Sequence, residues 1–106
     1  MDDRREDGLL VRDDSAGERF LVESDGQIAQ LVYHKEPGRL VIEHTEVPEA
    51  LGGRGIAGRL VRAAVASAAS EQRTVVPWCP YARRWLQDHQ DVAGTVAIDW
   101  ADRPRA

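Results

Sequence analysis

The spacing of apolar residues changes at Pro48, and this change constrains the fold more than any other feature of the chain. Before Pro48 the apolar positions alternate, as they do in half-buried strands; after it they recur every three or four residues, as on one face of a helix. Arg19–Glu23 reads as a strand closed by the turn Ser24-Asp25-Gly26, and Gln27–His34 as the next, with Ala29, Leu31 and Tyr33 on one face and Ile28, Gln30, Val32 and His34 on the other. Glu36-Pro37-Gly38 makes a second turn, and Arg39–Val47 follows, with Leu40, Ile42 and His44 alternating against Val41, Glu43 and Thr45. Three strands joined by tight turns form an antiparallel meander. Leu9-Leu10-Val11 is a further short strand candidate, and residues 1–8 read as a frayed terminus.

From Ile56 to Ser70 the face Ile56, Ala57, Leu60, Val61, Ala64, Val65, Ala68 predicts an amphipathic helix, with Arg59, Arg62 and Ser67 on its polar side. Thr74–Trp78 is β-branched and reads as a buried strand reached by a crossover; Tyr81–His89 is a second short helix with Pro80 in its first turn. Thr95–Trp100 is a candidate last strand. The fold class expected is α+β, or mixed α/β: a meander, then helix-strand-helix, on a mixed sheet.

Composition removes several functions. The 106 residues fit one domain, with its core at about 18–100. Eighteen acidic residues stand against fourteen basic ones, a net charge of −4, which argues against a general nucleic-acid binder. No apolar run is long enough to span a membrane and the charged N-terminus is no secretory signal, so a cytoplasmic protein is expected. The polar exterior of so short a chain points to a monomer. The lone Cys79 makes no internal disulfide and no structural zinc site, so no metal is expected; it is either a buried small hydrophobe or a reactive thiol.

The segment Glu46 to Leu60 joins strand to helix through Gly52-Gly53-Arg54-Gly55. Glycines there allow a tight turn and close ligand approach. The first helical N–H groups, with the positive end of the helix dipole, make an anion site suited to a pyrophosphate. Arg54 and Arg59 add charge beside it. Gly53-x-Gly55-x-x-Gly58 has dinucleotide-fingerprint spacing, but the strands before it are antiparallel and the P-loop Lys-Ser/Thr pair is missing, so both nucleotide fingerprints fit poorly.

His44-Thr45-Glu46-Val47-Pro48, Gly53-Arg54-Gly55-Ile56-Ala57, Leu60-Val61 and Val75-Val76-Pro77-Trp78-Cys79 together resemble the GCN5-related N-acetyltransferase superfamily. Within it the chain is most similar to the short, single-domain group in which a cysteine follows the strand after the main helix. The resemblance covers roughly residues 18 to 90. It implies that acetyl-CoA is the co-substrate, its pyrophosphate on the amides of Gly53, Arg54, Gly55, Ile56 and Ala57, its pantetheine arm along Glu46 and Val47, and that the acceptor is an amine. The chain also departs from the pattern. Gly52 stands where the superfamily has Gln or Arg, Leu86 where a general-acid Tyr is common, and His89-Gln90-Asp91-Val92 where the narrower group has His-Pro-Glu-Tyr. Between Val22 and Gln27 there is room for a turn but not for the helices that usually shape the acceptor site.

Amine acetylation needs a donor for the developing oxyanion and a proton for the leaving thiolate. The resemblance implies a backbone N–H near Val47 as the oxyanion donor. Cys79, at a helix N-terminus that favours thiolate, is a candidate acyl acceptor or acid. His44 and Glu46, two apart on a strand, share a face and form a candidate proton relay. Tyr81 lies two residues from Cys79 and within reach of a thiolate. Packing roles compete for all four side chains. The alternatives to an enzyme are a CoA or acyl-CoA binding module without turnover, favoured by Gly52 and Leu86, and a thiol sensor built on Cys79.

Overall fold

A computed structural model describes residues 9–104. Its elements are β1 (Arg12–Asp14), β2 (Arg19–Ser24), β3 (Gln27–Glu36), β4 (Arg39–Glu46), a 3₁₀ turn at Glu49–Leu51, α1 (Ile56–Ser70), β5 (Thr74–Pro77), α2 (Pro80–Asp88) and α3 (Gln90–Ala93). The sheet order is β1-β2-β3-β4-β5. The first four strands are antiparallel neighbours, and β5 lies parallel to β4. This is the α+β fold expected. The reading of residues 1–8 as a frayed terminus lies outside the described residues.

Each tight turn has a local cause. Asp25 and Gly26 both take positive φ, 52° and 75°, the handedness that lets a two-residue loop follow the twist of β2 and β3. Ala29, Leu31 and Tyr33 of β3 face the core beside Phe20 and Val22, and α1 packs Leu60, Val61, Ala64, Val65 and Ala68 against them. Ala82 and Leu86 of α2 and Ala93 of α3 join the same cluster. Leu21, Val41 and Val76, buried on the opposite face, fall outside it.

Three expectations are corrected. The first strand is Arg12–Asp14 rather than Leu9–Val11. Leu9 is instead a core plug, 4% exposed, and leaves the short edge strand to charged residues, which protect an edge from pairing with other chains. Thr95–Trp100 forms no full strand. Its one bridge, Val75 to Ile98, is flanked by Val75 N–H to the Ala97 carbonyl and Asp99 N–H to the Val75 carbonyl, both 2.9 Å. Finally, Arg59 does not lie on a solvated helix face. It is 5% exposed, and its Nη2 donates to the Leu9 carbonyl at 2.7 Å, tying α1 to the start of the described chain.

Candidate active site

The parallel pair is short and forks. Registered partners run from Arg39 and Thr74 to Ile42 and Pro77, while β4 continues four residues further, to Glu46. Pro77 has no N–H to donate. The Ile42 carbonyl instead accepts from both Trp78 N–H and Cys79 N–H, each at 3.0 Å, and the chain then turns into α2. Beyond Ile42, β4 keeps only β3 as its partner.

A bulge decides which β4 side chains face which way. Val32 opposes His44 and Tyr33 opposes Ile42, so Glu43 is the extra residue. Its insertion inverts the alternation. Leu40 and Ile42 face the core, but past the bulge Thr45, opposite Leu31, takes that face, and His44 and Glu46 turn to the other. The expected set Leu40, Ile42, His44 is thereby broken, whereas the shared face of His44 and Glu46 stands. Their side chains lie 3.2 Å apart, Nε2 to Oε2, and both are largely exposed.

Thr45 is the residue that sequence reasoning passed over. Its Oγ1 accepts from the Cys79 Sγ at 3.5 Å. Cys79 is 4% exposed and caps α2 by its backbone, with Pro80 next. Tyr81 is 44% exposed at the rim. Partial burial, and then the neighbouring Cys79 sulfur, push its phenol above the usual tyrosine range, so it stays protonated at neutral pH. The structure thus gathers Cys79, Thr45 and Tyr81 at the fork and holds His44 and Glu46 on the opposite face of β4.

The glycine turn lies at the other end of the same region. Gly53 and Gly55 take φ of 78° and 69°, the left-handed region where a side chain is strained, and a Cβ on either would meet nothing within 4 Å. Gly55 is the N-cap of α1. The first ladder bond is Arg59 N–H to the Gly55 carbonyl at 3.2 Å, so the Ile56, Ala57 and Gly58 amides precede the ladder and have no intrahelical acceptor.

From this turn a cleft of about 310 Å³ runs between α1 and α2, lined by Arg54, Gly55, Gly58, Arg59, Arg62, Tyr81, Trp85 and His89. Gly58 brings the two helices together: a Cβ there would lie 2.7 Å from the Trp85 indole nitrogen. Trp85 stacks on His89 with centroids 3.8 Å apart and planes at 8°, and the Arg62 guanidinium lies 5.2 Å from the Trp85 ring centroid. His89 Nδ1 donates to the Trp85 carbonyl at 2.8 Å, which fixes the protonated nitrogen. No acid among the described residues lines this cleft. Among the described residues, no group of three or more His, Cys, Asp or Glu side chains converges, and no helix is long and apolar enough to cross a membrane.

The class so defined is a small α+β domain with a glycine turn and a cationic cleft at the mouth of a strand fork. The chain belongs to the GCN5-related N-acetyltransferase family, whose model matches residues 19–95, and is therefore an acyltransferase. Its fold is shared by the NMR solution structure of a protein from Staphylococcus aureus described as a candidate GCN5-like N-acetyltransferase: TM-score 0.66, 19% identity, 90% of this chain and 95% of that one covered. No curated protein sequence matches the chain significantly.

Proposed function

We propose that the protein transfers the acetyl group of acetyl-CoA to a primary amine, the two substrates meeting in the fork from opposite faces of the sheet. The observation that carries this is the bulge at Glu43, which sorts Thr45 and Cys79 to the helix side and His44 and Glu46 to the open side. On the helix side, the amides of Gly53, Arg54, Gly55, Ile56 and Ala57 hold the pyrophosphate, and the free edge of β4 at Glu46, with Val47 beyond it, bonds the pantetheine arm. The thioester then reaches the end of the fork. On the open side, Glu46 holds His44, which takes a proton from the incoming ammonium.

The neutral amine attacks the thioester carbonyl carbon, and a backbone N–H near Val47 polarises the oxygen. Collapse breaks the carbon–sulfur bond, and the electron pair leaves on the CoA sulfur as a thiolate. Tyr81, kept protonated by its surroundings, donates the proton that thiolate needs; the nitrogen sheds its second proton to solvent as the amide forms, and the phenolate takes one back from solvent. Cys79, buried and hydrogen-bonded to Thr45, positions the thioester end. With β2 and β3 joined by a bare two-residue turn, the acceptor side is open and suits an extended or macromolecular amine. The domain acts alone, as a cytoplasmic monomer without a metal.

Calorimetric titration of the reduced protein with acetyl-CoA and with CoA tests the reading. Micromolar binding, followed by acceptor-dependent release of free thiol, is the expected result. Binding without release under any amine would instead support the CoA-module reading that Gly52 favours. Failure to bind at millimolar ligand would remove both readings.

A further inference from the structure

In this acidic chain nearly every described cation has a carboxylate beside it. Arg12 pairs with Glu23, Arg19 with Asp14, Lys35 with Glu71, Arg39 with Glu36, Arg73 with Glu71, Arg83 with Asp102, Arg84 with Asp88 and Arg103 with Glu43. Among the described residues Arg54 and Arg62 have neither a carboxylate nor a hydrogen-bond acceptor, and both line the α1–α2 cleft. Two guanidinium groups without a carboxylate partner, in a cleft to which no described acid contributes, mark a place where a ligand supplies the negative charge.

The two arginines are not equivalent. Arg54 sits in the glycine turn, where the amides before the α1 ladder already suit a diphosphate. Arg62 lies seven residues beyond Gly55, two helical turns and about 10 Å along α1. Helical side chains lean back toward the N-terminus, which brings its guanidinium over the cleft but leaves it separate from the turn. The Trp85 ring, backed by His89 and seated on Gly58, holds that guanidinium in place and takes none of its N–H groups in hydrogen bonds. A fixed planar fork of donors suits a phosphate dianion.

We propose that Arg62 is a specificity residue that binds the 3′-phosphate of the CoA ribose, so that the protein selects 3′-phosphorylated CoA over 3′-dephospho-CoA. This rests on the acetyl-CoA reading above, with the pyrophosphate on the turn. Trp85 is a positioning residue in the same device.

The test compares dissociation constants for CoA and 3′-dephospho-CoA, by calorimetry at fixed ionic strength, for the natural protein, R62Q, R62K and R84Q. Arg84 is paired with Asp88 outside the cleft and controls for loss of one positive charge. The natural protein should prefer CoA by on the order of tenfold, as expected for one charge-assisted contact. R62Q should bring the ratio near one by weakening CoA alone, R62K should keep part of it, and R84Q all of it. The Trp85 indole N–H resonance should move further with CoA than with 3′-dephospho-CoA. Equal affinities in the natural protein overturn the proposal. So does a ratio that R62Q leaves unchanged, or that R84Q lowers as much as R62Q. If R62Q does not fold, R62K and the Trp85 resonance decide. If neither nucleotide binds, the acetyl-CoA reading has failed and the proposal falls with it; if both bind alike, that reading stands and only the assignment of Arg62 is lost.

Discussion

The meander and the α1–α2 cleft treat charge in opposite ways. In the meander, acid and base neutralise each other across strands or turns: Arg19 with Asp14 at 3.0 Å, Arg39 with Glu36 at 3.2 Å, Arg12 with Glu23 at 3.9 Å. Around the cleft, Arg54 and Arg62 have no carboxylate partner among the described residues, and a Cβ on Gly53 or Gly55 would meet nothing within 4 Å. The proposed anion site accounts for the contrast. A solvated sheet gains little from any one surface pair and loses little without it. A binding cleft whose cations were already paired would have to break those pairs before it could take an anion.

The strongest way to break this contrast is to fill the turn. Gly55→Asp places a carboxylate where the amides face outward, and should weaken acetyl-CoA binding by about a hundredfold or more, read by calorimetry. A Cβ there meets nothing, so at φ 69° the strain should cost only about 1 kcal/mol in a urea melt. Unchanged affinity would mean that the pyrophosphate lies elsewhere.

Gly58→Val acts on the wall of the cleft rather than on its charge. Trp85, held by its stack on His89, has little room to retreat, so the variant should lose about 2 kcal/mol of stability in urea. It should also disturb the Trp85 indole resonance. A stability like that of the natural protein would show that the helices separate easily and that the cleft is not fixed.

At the fork, Cys79→Ala should leave acetyl-CoA affinity within about twofold while lowering transfer, with a loss of about 1 kcal/mol for the buried thiol. Undiminished transfer would reduce Cys79 to packing. Thr45→Val, which keeps the shape and removes the acceptor, separates the hydrogen bond from the volume.

The smallest effect belongs to the meander. Tyr33 is buried, and its hydroxyl donates to Asp13 at 2.6 Å. Burial first, and then that carboxylate, raise its pKa well above the usual tyrosine value. The folded state therefore holds the phenolic proton more tightly than the unfolded chain does. The associated stability is complete below pH about 10, the unfolded value, and is lost as pH rises beyond it. Urea melts at pH 8 and pH 11 should show a drop for the natural protein and a smaller drop for Tyr33→Phe. Equal drops would place the alkaline sensitivity elsewhere.

Helix α1 was legible to the residue, because a 3.6-residue period over Ile56–Ser70 is a local property of the sequence. The turns at Asp25-Gly26 and Pro37-Gly38 were legible for the same reason: their φ values are intrinsic to those residue types. The glycine turn was visible as a strand-to-helix junction, and Cys79 as a residue between β5 and α2. Thr45 was not visible. Its position opposite Cys79 depends on the extra residue Glu43, and a bulge is a property of two strands in register rather than of either alone. Local sequence likewise favoured Leu9–Val11 as a strand, whereas the core claimed Leu9 and left pairing to Arg12–Asp14.

Sequence by itself therefore determined most of the elements, their order, the meander-then-crossover layout and the place of the glycine turn, since each follows from short-range periodicity and backbone preference. Tertiary structure alone decided where β4 and β5 part, which face Thr45, His44 and Glu46 take, that Arg59 is buried while Arg54 and Arg62 find no carboxylate among the described residues, and that Gly58 seats Trp85. These are outcomes of pairing and packing between segments far apart in the chain, where one inserted residue inverts a face and one missing Cβ sets how closely two helices approach.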